Sequence, residues 1–293
     1  THLKFASLCR KSGRRALAHN LLARLLGPAA QAEVERAAEE GVPPSLEILS
    51  AECSPAVVLA AAKQLWERGA REAALRTVAD FVDDPRVVFV EGDICDRQAV
   101  ASAIEGHHAI LHFAAESHVD RSIDGSERFV TTNCVGTNTL CDLASQMEIE
   151  RFVHVSTDET YGSTTQGSFT EEDKLAPSSP YSASKAASDL IAMGHHITHG
   201  LPVTVTRSSN NYGPFQFPEK LIPLFVTNLL DGLQVPLYGD GTNIRDWIHV
   251  NDNCAAIHHV LQSGEIGEIY NIGAGNEISN LELTQMLLDL CEL

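Results

Sequence analysis

The sequence predicts an α/β domain, a parallel sheet wrapped by helices, preceded by an all-α segment. Three observations carry this expectation. Beyond Pro85, four short apolar, β-branched-rich runs recur with helical stretches between them: Val87-Val-Phe-Val90, Ala109-Ile-Leu-His-Phe113, Phe152-Val-His-Val155 and Pro202-Val-Thr-Val-Thr206. Strands buried on both faces read this way. Residues 1–77, by contrast, read as helices. Finally, polar groups gather just past the ends of the apolar runs, on the sheet edge where open α/β folds bind ligands.

At 293 residues the chain holds one large or two smaller domains with ample core. With 44% hydrophobic and 20% charged residues it has a soluble globular composition. Asp and Glu number 39 against 21 Lys and Arg, a formal charge of −18, which argues against nucleic acid or an anionic membrane as partner. An anionic substrate needs only a few local cations and stays open. The longest apolar runs, such as Ala56–Ala62, are far short of a membrane span, and no signal-peptide pattern begins the chain. Seven scattered cysteines without a Cys-x-x-Cys read as reduced thiols in a cytosol-like compartment. The first residue is Thr1, as a fragment would have.

Leu3–Lys11 and Arg14–Leu26 are short amphipathic helical segments stopped at Gly13 and Gly27. Ser54-Pro55 makes an N-cap and first turn for a helix reaching Arg68, and Gly69 separates it from another starting near Ala70. The units beginning at Leu8 and Leu65 look like one helix–Gly–helix repeat used twice, a signature of an α-solenoid piece; generic helical hairpins are the alternative. No Gly-x-x-Gly-x-x-Gly or Gly-x-Gly-x-x-Gly occurs in the chain. The junction falls near Leu75–Val78, giving a helical segment over 1–77 and an α/β domain over 78–293.

In chain order, Asp93 follows the first apolar run; it can accept from an adenine amino group with Ile94 against the ring, or simply end a strand in a turn. Ala114-Ala115-Glu116-Ser117 follow the second run, and two small residues let a ligand approach closely. Thr132 and Asn133 lie on the next helix, Asn133 as a contact or as a buried helix–strand hydrogen bond. Ser156-Thr-Asp-Glu-Thr-Tyr-Gly162 then delivers a hydroxyl and two adjacent carboxylates to a strand end. Tyr181-Ser-Ala-Ser-Lys185 opens a helix whose four-residue spacing puts phenol and ammonium on one face. A nearby cation favours the phenolate, so the pair reads as a general base at neutral pH; alone, it is a common helix-surface coincidence. Two carboxylates can divide acid and base work if their environments separate their pKa values.

Downstream, Lys220 and Arg245 are cations suited to diphosphate or sugar contacts, and Asn210, Asn211 and Asn280 offer both donors and acceptors. His195 and His199 share a helical face but lack the Glu of a His-Glu-x-x-His pattern, so no metal is expected.

These residues resemble a known group. Val-Glu-Gly-Asp-Ile-Cys-Asp (90–96), Phe-Ala-Ala-Glu-Ser-His-Val-Asp-Arg-Ser (113–122), the two segments at 156–162 and 181–185, Asn-Asn-Tyr-Gly-Pro-Phe-Gln-Phe-Pro-Glu-Lys-Leu-Ile-Pro (210–223), Tyr-Gly-Asp-Gly-Thr-Asn-Ile-Arg-Asp-Trp (238–247) and Tyr-Asn-Ile-Gly-Ala-Gly-Asn-Glu (270–277) are similar, in order, to the extended short-chain dehydrogenase/reductases. Within that group they look like the dTDP-glucose 4,6-dehydratases. The resemblance implies a Rossmann-like parallel sheet lacking its usual N-terminal Gly-rich βαβ unit, with a small substrate-binding portion near 212–250 and 276–293. It implies NAD as cofactor, a nucleoside-diphosphate sugar as substrate and a homodimer through the helices at 132–147 and 181–193.

By the same resemblance Asp158 is the acid, Glu159 the base, and Tyr181 and Lys185 serve the oxidation. Asp93, Ile94, Phe113, Ala114, Ala115, Glu116, Ser117, Thr132, Tyr181, Lys185 and Asn211 face NAD. Thr157, Asn210, Lys220, Leu221, Pro236, Tyr238, Arg245 and Asn280 face the substrate. An epimerase with Tyr-x-x-x-Lys but no acid pair, and an inactive remnant on a helical scaffold, are the alternatives. Residues 4–19 and 63–75 in turn resemble the helical repeat region beside the kinase domain of target-of-rapamycin-type kinases.

Overall fold

A computed structural model describes residues 90–164, 167–213 and 220–291, with the single positions 36, 88 and 216. The chain divides into two compact units, one of Val90–Tyr212 with Asn243–Ser279, the other including Gly213–Thr242 and Asn280–Leu293. The helices expected within residues 1–77 lie outside the described residues, apart from Arg36, which is helical.

The first unit holds a parallel sheet of β1 (Ala109–His112), β2 (Arg151–Thr157), β3 (Val203–Ser208) and β6 (Ile269–Ile272), in the order β1-β2-β3-β6. A smaller sheet pairs β4 (Asn210–Tyr212) in parallel and β7 (Glu277–Ser279) antiparallel with β5 (Ile244–His249). Helix α1 (Arg97–Ile104) starts where Asp96 accepts from the N–H groups of Gln98 and Ala99. Further on come α2 (Val119–Asp124) and α3 (Glu127–Phe129), which runs through a π-helical turn (Val130–Gly136) into α4 (Thr137–Gln146). The remaining helices of this unit are α5 (Pro180–His199) and α7 (Val250–Ser263). In the second unit, α6 (Leu221–Leu230) packs with α8 (Asn280–Leu290).

Alternation along β2 sorts its side chains to two cores. Phe152 packs with Ile110, Leu140, Leu143, Ala192 and Val203 on one face; Val153 packs with Ile248, Ile257, Val260 and Ile272 on the other. The sheet is therefore covered on both faces at β2, as three of the apolar runs predicted.

The fourth run corrects the expectation. Val88 and Val90 are not in a strand, and they are 78% and 51% exposed. In a doubly wound sheet of order 3-2-1-4-5-6, the third strand pairs with the second and the fourth with the first. Residues 87–90 stand in the third position and β1 in the fourth. The sequence holds no Gly-rich unit of the kind that carries strands one and two. Among the described residues β1 is accordingly a sheet edge, and Leu111 and Phe113 are exposed beside it.

Candidate active site

The site grows from the C-terminal end of β2. Thr157 closes the strand, and its Oγ1 accepts from Glu159 N at 3.3 Å and donates to Asp158 Oδ1 at 3.3 Å. That caps a single 3₁₀ turn, Asp158–Tyr161, presenting both carboxylates at the sheet edge. Two further bonds tether the turn: Thr160 Oγ1 donates to Thr157 O at 2.8 Å, and Ala176 N donates to Thr160 O at 3.1 Å. Gly162 ends it at φ +87°, and a Cβ there would lie 2.2 Å from the Ala176 carbonyl oxygen. Only glycine fits. Burial, then the neighbouring Glu159 charge, pushes Asp158 up to about 6; the Thr157 hydroxyl and the Arg245 guanidinium pull the other way.

Helix α5 begins with a capping box in which Ser179 Oγ accepts from Ser182 N at 3.1 Å and Ser182 Oγ accepts from Ser179 N at 2.9 Å, with Pro180 in its first turn. It ends at Gly200 in the left-handed region. Tyr181 and Lys185 lie on its buried side. Lys185 Nζ donates to Val155 O at 2.8 Å, and burial brings its pKa down to about 8 against the opposing pull of Asp189 and Cys134. The Tyr181 phenol interacts with Thr157, Glu159 and Asp158, so the structure gathers these four residues at one place, with Lys185 one turn further along α5.

The phenol is nevertheless not depressed. Burial raises its pKa, Glu159, Asp158 and Asp189 add to that, and only the hydrogen bond with Thr157 works the other way. The expectation that Lys185 would lower it fails because the ammonium is turned onto a main-chain carbonyl while two carboxylates face the phenol.

The loop after β1 is locked by a residue whose role the sequence left open. Buried Asn133, in the π-helical turn, accepts from Glu116 N at 2.8 Å through Oδ1 and donates from Nδ2 to Glu116 O at 3.0 Å and Ser184 Oγ at 2.8 Å. It joins the Phe113–Ser117 loop to α5. Thr132 precedes it, half-buried, and π-helical turns of this kind concentrate at functional sites. Asp93 accepts from Cys95 N at 2.8 Å through Oδ1, as a residue in a turn does. Ile94 packs on the core beside Gly136, where a Cβ would meet its side chain at 2.5 Å.

Asn211 Nδ2 donates to Ser209 O at 3.1 Å, and Asn210 pairs with Trp247 across β4 and β5. Arg245 lies on β5, close enough to Asp158 for its charge to be felt there. Lys220 caps α6, Leu221 begins it, Pro236 and exposed Tyr238 follow, and buried Asn280 begins α8; these five belong to the second unit. His195 and His199 lie side by side with ring centroids 5.2 Å apart and planes tilted at 45°, and among the described residues no group of three or more His, Cys, Asp or Glu could hold a metal. None of the described helices is long and apolar enough to cross a membrane. Sequence reading missed a buried cluster of His154, Ser188, Asp189, Arg207 and Tyr161, with half-buried Asn271 at its end. Its one sequence signal is Asp189, four residues after Lys185 on the same helical face.

Residues 54–291 match the model of a family described as GDP-mannose 4,6 dehydratase, and residues 1–91 match that of the FAT domain, in keeping with the helical-repeat resemblance of the N-terminal quarter. A dTDP-glucose 4,6-dehydratase of an Actinoplanes species is 58% identical over 217 residues, which are 74% of this chain and 68% of that one. The crystal structure of a dTDP-glucose 4,6-dehydratase from Streptomyces venezuelae, with NAD bound, aligns with a TM-score of 0.71 at 57% identity, over 73% of this chain and 67% of that one. A dTDP-glucose 4,6-dehydratase from Bacillus anthracis in complex with NAD aligns at 0.67 and 48%, over 74% and 68%. The chain thus spans about two thirds of the length of these relatives.

Proposed function

We propose, since this chain belongs to the GDP-mannose 4,6 dehydratase family, that it carries the catalytic part of a nucleotide-sugar 4,6-dehydratase acting on dTDP-glucose. The observation that carries this reading is the carboxylate pair at the end of β2, with Asp158 pushed up to about 6 beside the Tyr181 phenol. Oxidising a sugar at C4 needs one base for the hydroxyl proton and a hydride acceptor. Eliminating water across C5 and C6 needs a second base and an acid.

Asp158, protonated more readily than an ordinary carboxylate, is the donor to the departing C6 hydroxyl. Glu159 takes the C5 proton. Thr157 holds the reacting centre by hydrogen bonding, as it holds the phenol. Tyr181 receives the C4 hydroxyl proton, and Lys185 lies one turn further along the same helix. Bound NAD would supply the hydride acceptor at C4 and a positive charge opposing the two carboxylates that face Tyr181. The donor set fits the nicotinamide end: a phenol, a buried ammonium and the small Phe113-Ala-Ala loop fixed by Asn133. Asp93, Ile94, Glu116, Ser117, Thr132 and Asn211 keep the cofactor contacts the resemblance implies, and Asn210, Lys220, Leu221, Pro236, Tyr238, Arg245 and Asn280 the substrate contacts.

Exposed Leu190 and Ile197 on α5 and Val130 and Val135 on the π-helical turn support a homodimer through these helices. The free cysteines Cys95, Cys134, Cys141, Cys254 and Cys291 support a reducing, cytoplasmic setting. A second reading, a silent dehydratase remnant on a helical scaffold over residues 1–77, is favoured by the missing Gly-rich turn and by Val88 and Val90 standing outside any strand. Joining a Gly-rich strand–turn–helix unit to residues 78–293 and supplying dTDP-glucose tests the proposal. The 4-keto-6-deoxy product is expected; the C4 epimer alone would refute it.

A further inference from the structure

A buried polar network that the chemistry above does not use joins the Tyr181 helix to the turn bearing the carboxylates. Asp189 lies on α5, four residues after Lys185 and eight after Tyr181. Its Oδ2 accepts from Arg207 Nε at 3.0 Å, and its Oδ1 lies 3.2 Å from His154 Nε2, which also meets Ser188 Oγ at 3.0 Å. Arg207 lies on β3, buried, and its NH1 donates to the Tyr161 hydroxyl at 2.8 Å while its guanidinium sits 4.7 Å above the Tyr161 ring. The Tyr161 hydroxyl donates in turn to Asn271 Oδ1 on β6 at 2.8 Å, and the ring stacks on Phe169 at 5.1 Å. Tyr161 is the last residue of the turn that begins with Asp158. One guanidinium thus bonds to both elements that present the chemistry.

We infer that Arg207 is a positioning residue for the proposed dehydration: it holds the helix of Tyr181 and Lys185 in register with the turn of Asp158 and Glu159, and its charge balances Asp189 beneath them. The inference rests on the dehydratase reading for its chemistry and on the hydrogen bonds alone for its geometry. Oxidation at C4 and elimination across C5 and C6 act on adjacent carbons of one bound sugar, so a fraction of an ångström between the two groups decides whether both proceed. A planar fork with donors in fixed directions can bridge a carboxylate and a hydroxyl; a lysine presents one flexible point charge. Buried ion pairs seldom add net stability, so this pair's contribution is better sought in register and charge.

Lys185 is the reporter of that charge. Asp189 faces it from α5, Cys134 from the π-helical turn, His112 from β1 and His154 from β2, while Arg207 faces Asp189 from β3. Removing the guanidinium leaves Asp189 uncompensated below the ammonium.

The test labels lysine with ¹³C at Cε in the full chain, assigns Lys185 by substitution, and follows its titration by NMR. In Arg207→Gln the Lys185 midpoint should rise by about one pH unit, a tenfold gain in proton affinity. If that variant does not fold, Arg207→Met, which also removes the guanidinium and leaves Asp189 in place, should raise the midpoint by a similar amount. A midpoint unmoved in whichever folded variant is measured would overturn the charge role even if stability falls. For register, Arg207→Lys and Tyr161→Phe in the Gly-rich fusion, given NAD in excess, should release oxidised but undehydrated sugar nucleotide with one NADH formed for each, and KM within about threefold of the parent. A kcat loss with the product ratio unchanged would overturn it. A fusion inactive from the start would count against the dehydratase reading instead, and the NMR titration would still decide the charge role.

Discussion

Replacing Asp158 with Asn should stabilise the protein at neutral pH while removing the proposed acid. The folded state raises the Asp158 pKa from 3.8 to about 6, so it binds this proton more tightly than the unfolded chain does. Stability from such a group is fully present below the unfolded pKa and is lost as pH rises through the folded one. Between about pH 4 and pH 6 the parent should therefore lose stability on account of Asp158. Two units at about 1.4 kcal/mol each set a ceiling of about 3 kcal/mol. Partial solvent access and coupling to Glu159 reduce it to roughly 2 kcal/mol. Asparagine has nearly the same shape, keeps an oxygen to accept from Thr157 Oγ1, and carries no charge to desolvate. Urea unfolding from pH 4 to pH 8 measures the effect. The midpoint of Asp158→Asn should exceed the parent's by about 1 M at pH 7 and converge with it near pH 4. Equal midpoints at pH 7, or a gap that persists unchanged at pH 4, would show that the site does not hold Asp158 against ionisation.

Three other outcomes are expected. Asn133→Ala should cost about 3 kcal/mol, because it leaves both main-chain groups of Glu116 and the Ser184 hydroxyl short of a buried partner, and faster exchange of the Glu116 amide would locate the damage. Gly162→Ala should cost at least about 3 kcal/mol, since the positive φ and a 2.2 Å approach to Ala176 O act together; an unchanged urea midpoint would contradict the tight turn. NAD should bind this chain poorly. Nothing in the sequence supplies the Gly-rich turn whose N–H groups hold a pyrophosphate, and losing two such bonds at roughly 1.5–3 kcal/mol each weakens binding at least about a hundredfold. A micromolar dissociation constant by calorimetry would contradict that.

Much of the site was legible because its parts are local. The spacing of Tyr181 and Lys185, the Thr157-Asp158-Glu159 run at a strand end and the small residues after β1 are written within a few positions of one another, and the fold delivers them together. What escaped was long-range. Whether Lys185 lowers the Tyr181 pKa depends on where its Nζ points and on how many carboxylates reach the phenol, and neither is set by a four-residue spacing. Arg207 meets Asp189 from 18 positions away and Tyr161 from 46. Within a run that otherwise reads as a plain buried strand, an arginine gave no hint of its partners. The π-helical turn at Val130–Gly136 has no periodic signature, and three-residue strands such as β4 and β7 are too short to alternate visibly. At Val88 and Val90 the reason is the opposite: the local pattern is right, but a strand is a property of a pair.

The most direct measurement follows one deuterium. dTDP-glucose labelled with deuterium at C4 is given to the protein joined to a Gly-rich unit, with NAD, and the product is read by NMR and mass spectrometry. If Asp158 and Glu159 carry out elimination after oxidation by way of Tyr181, the label leaves C4 and reappears at C6 of a 4-keto-6-deoxy sugar. Deuterium returned to an inverted C4, with the C6 hydroxyl intact, would contradict the dehydratase assignment and make the site an epimerase's.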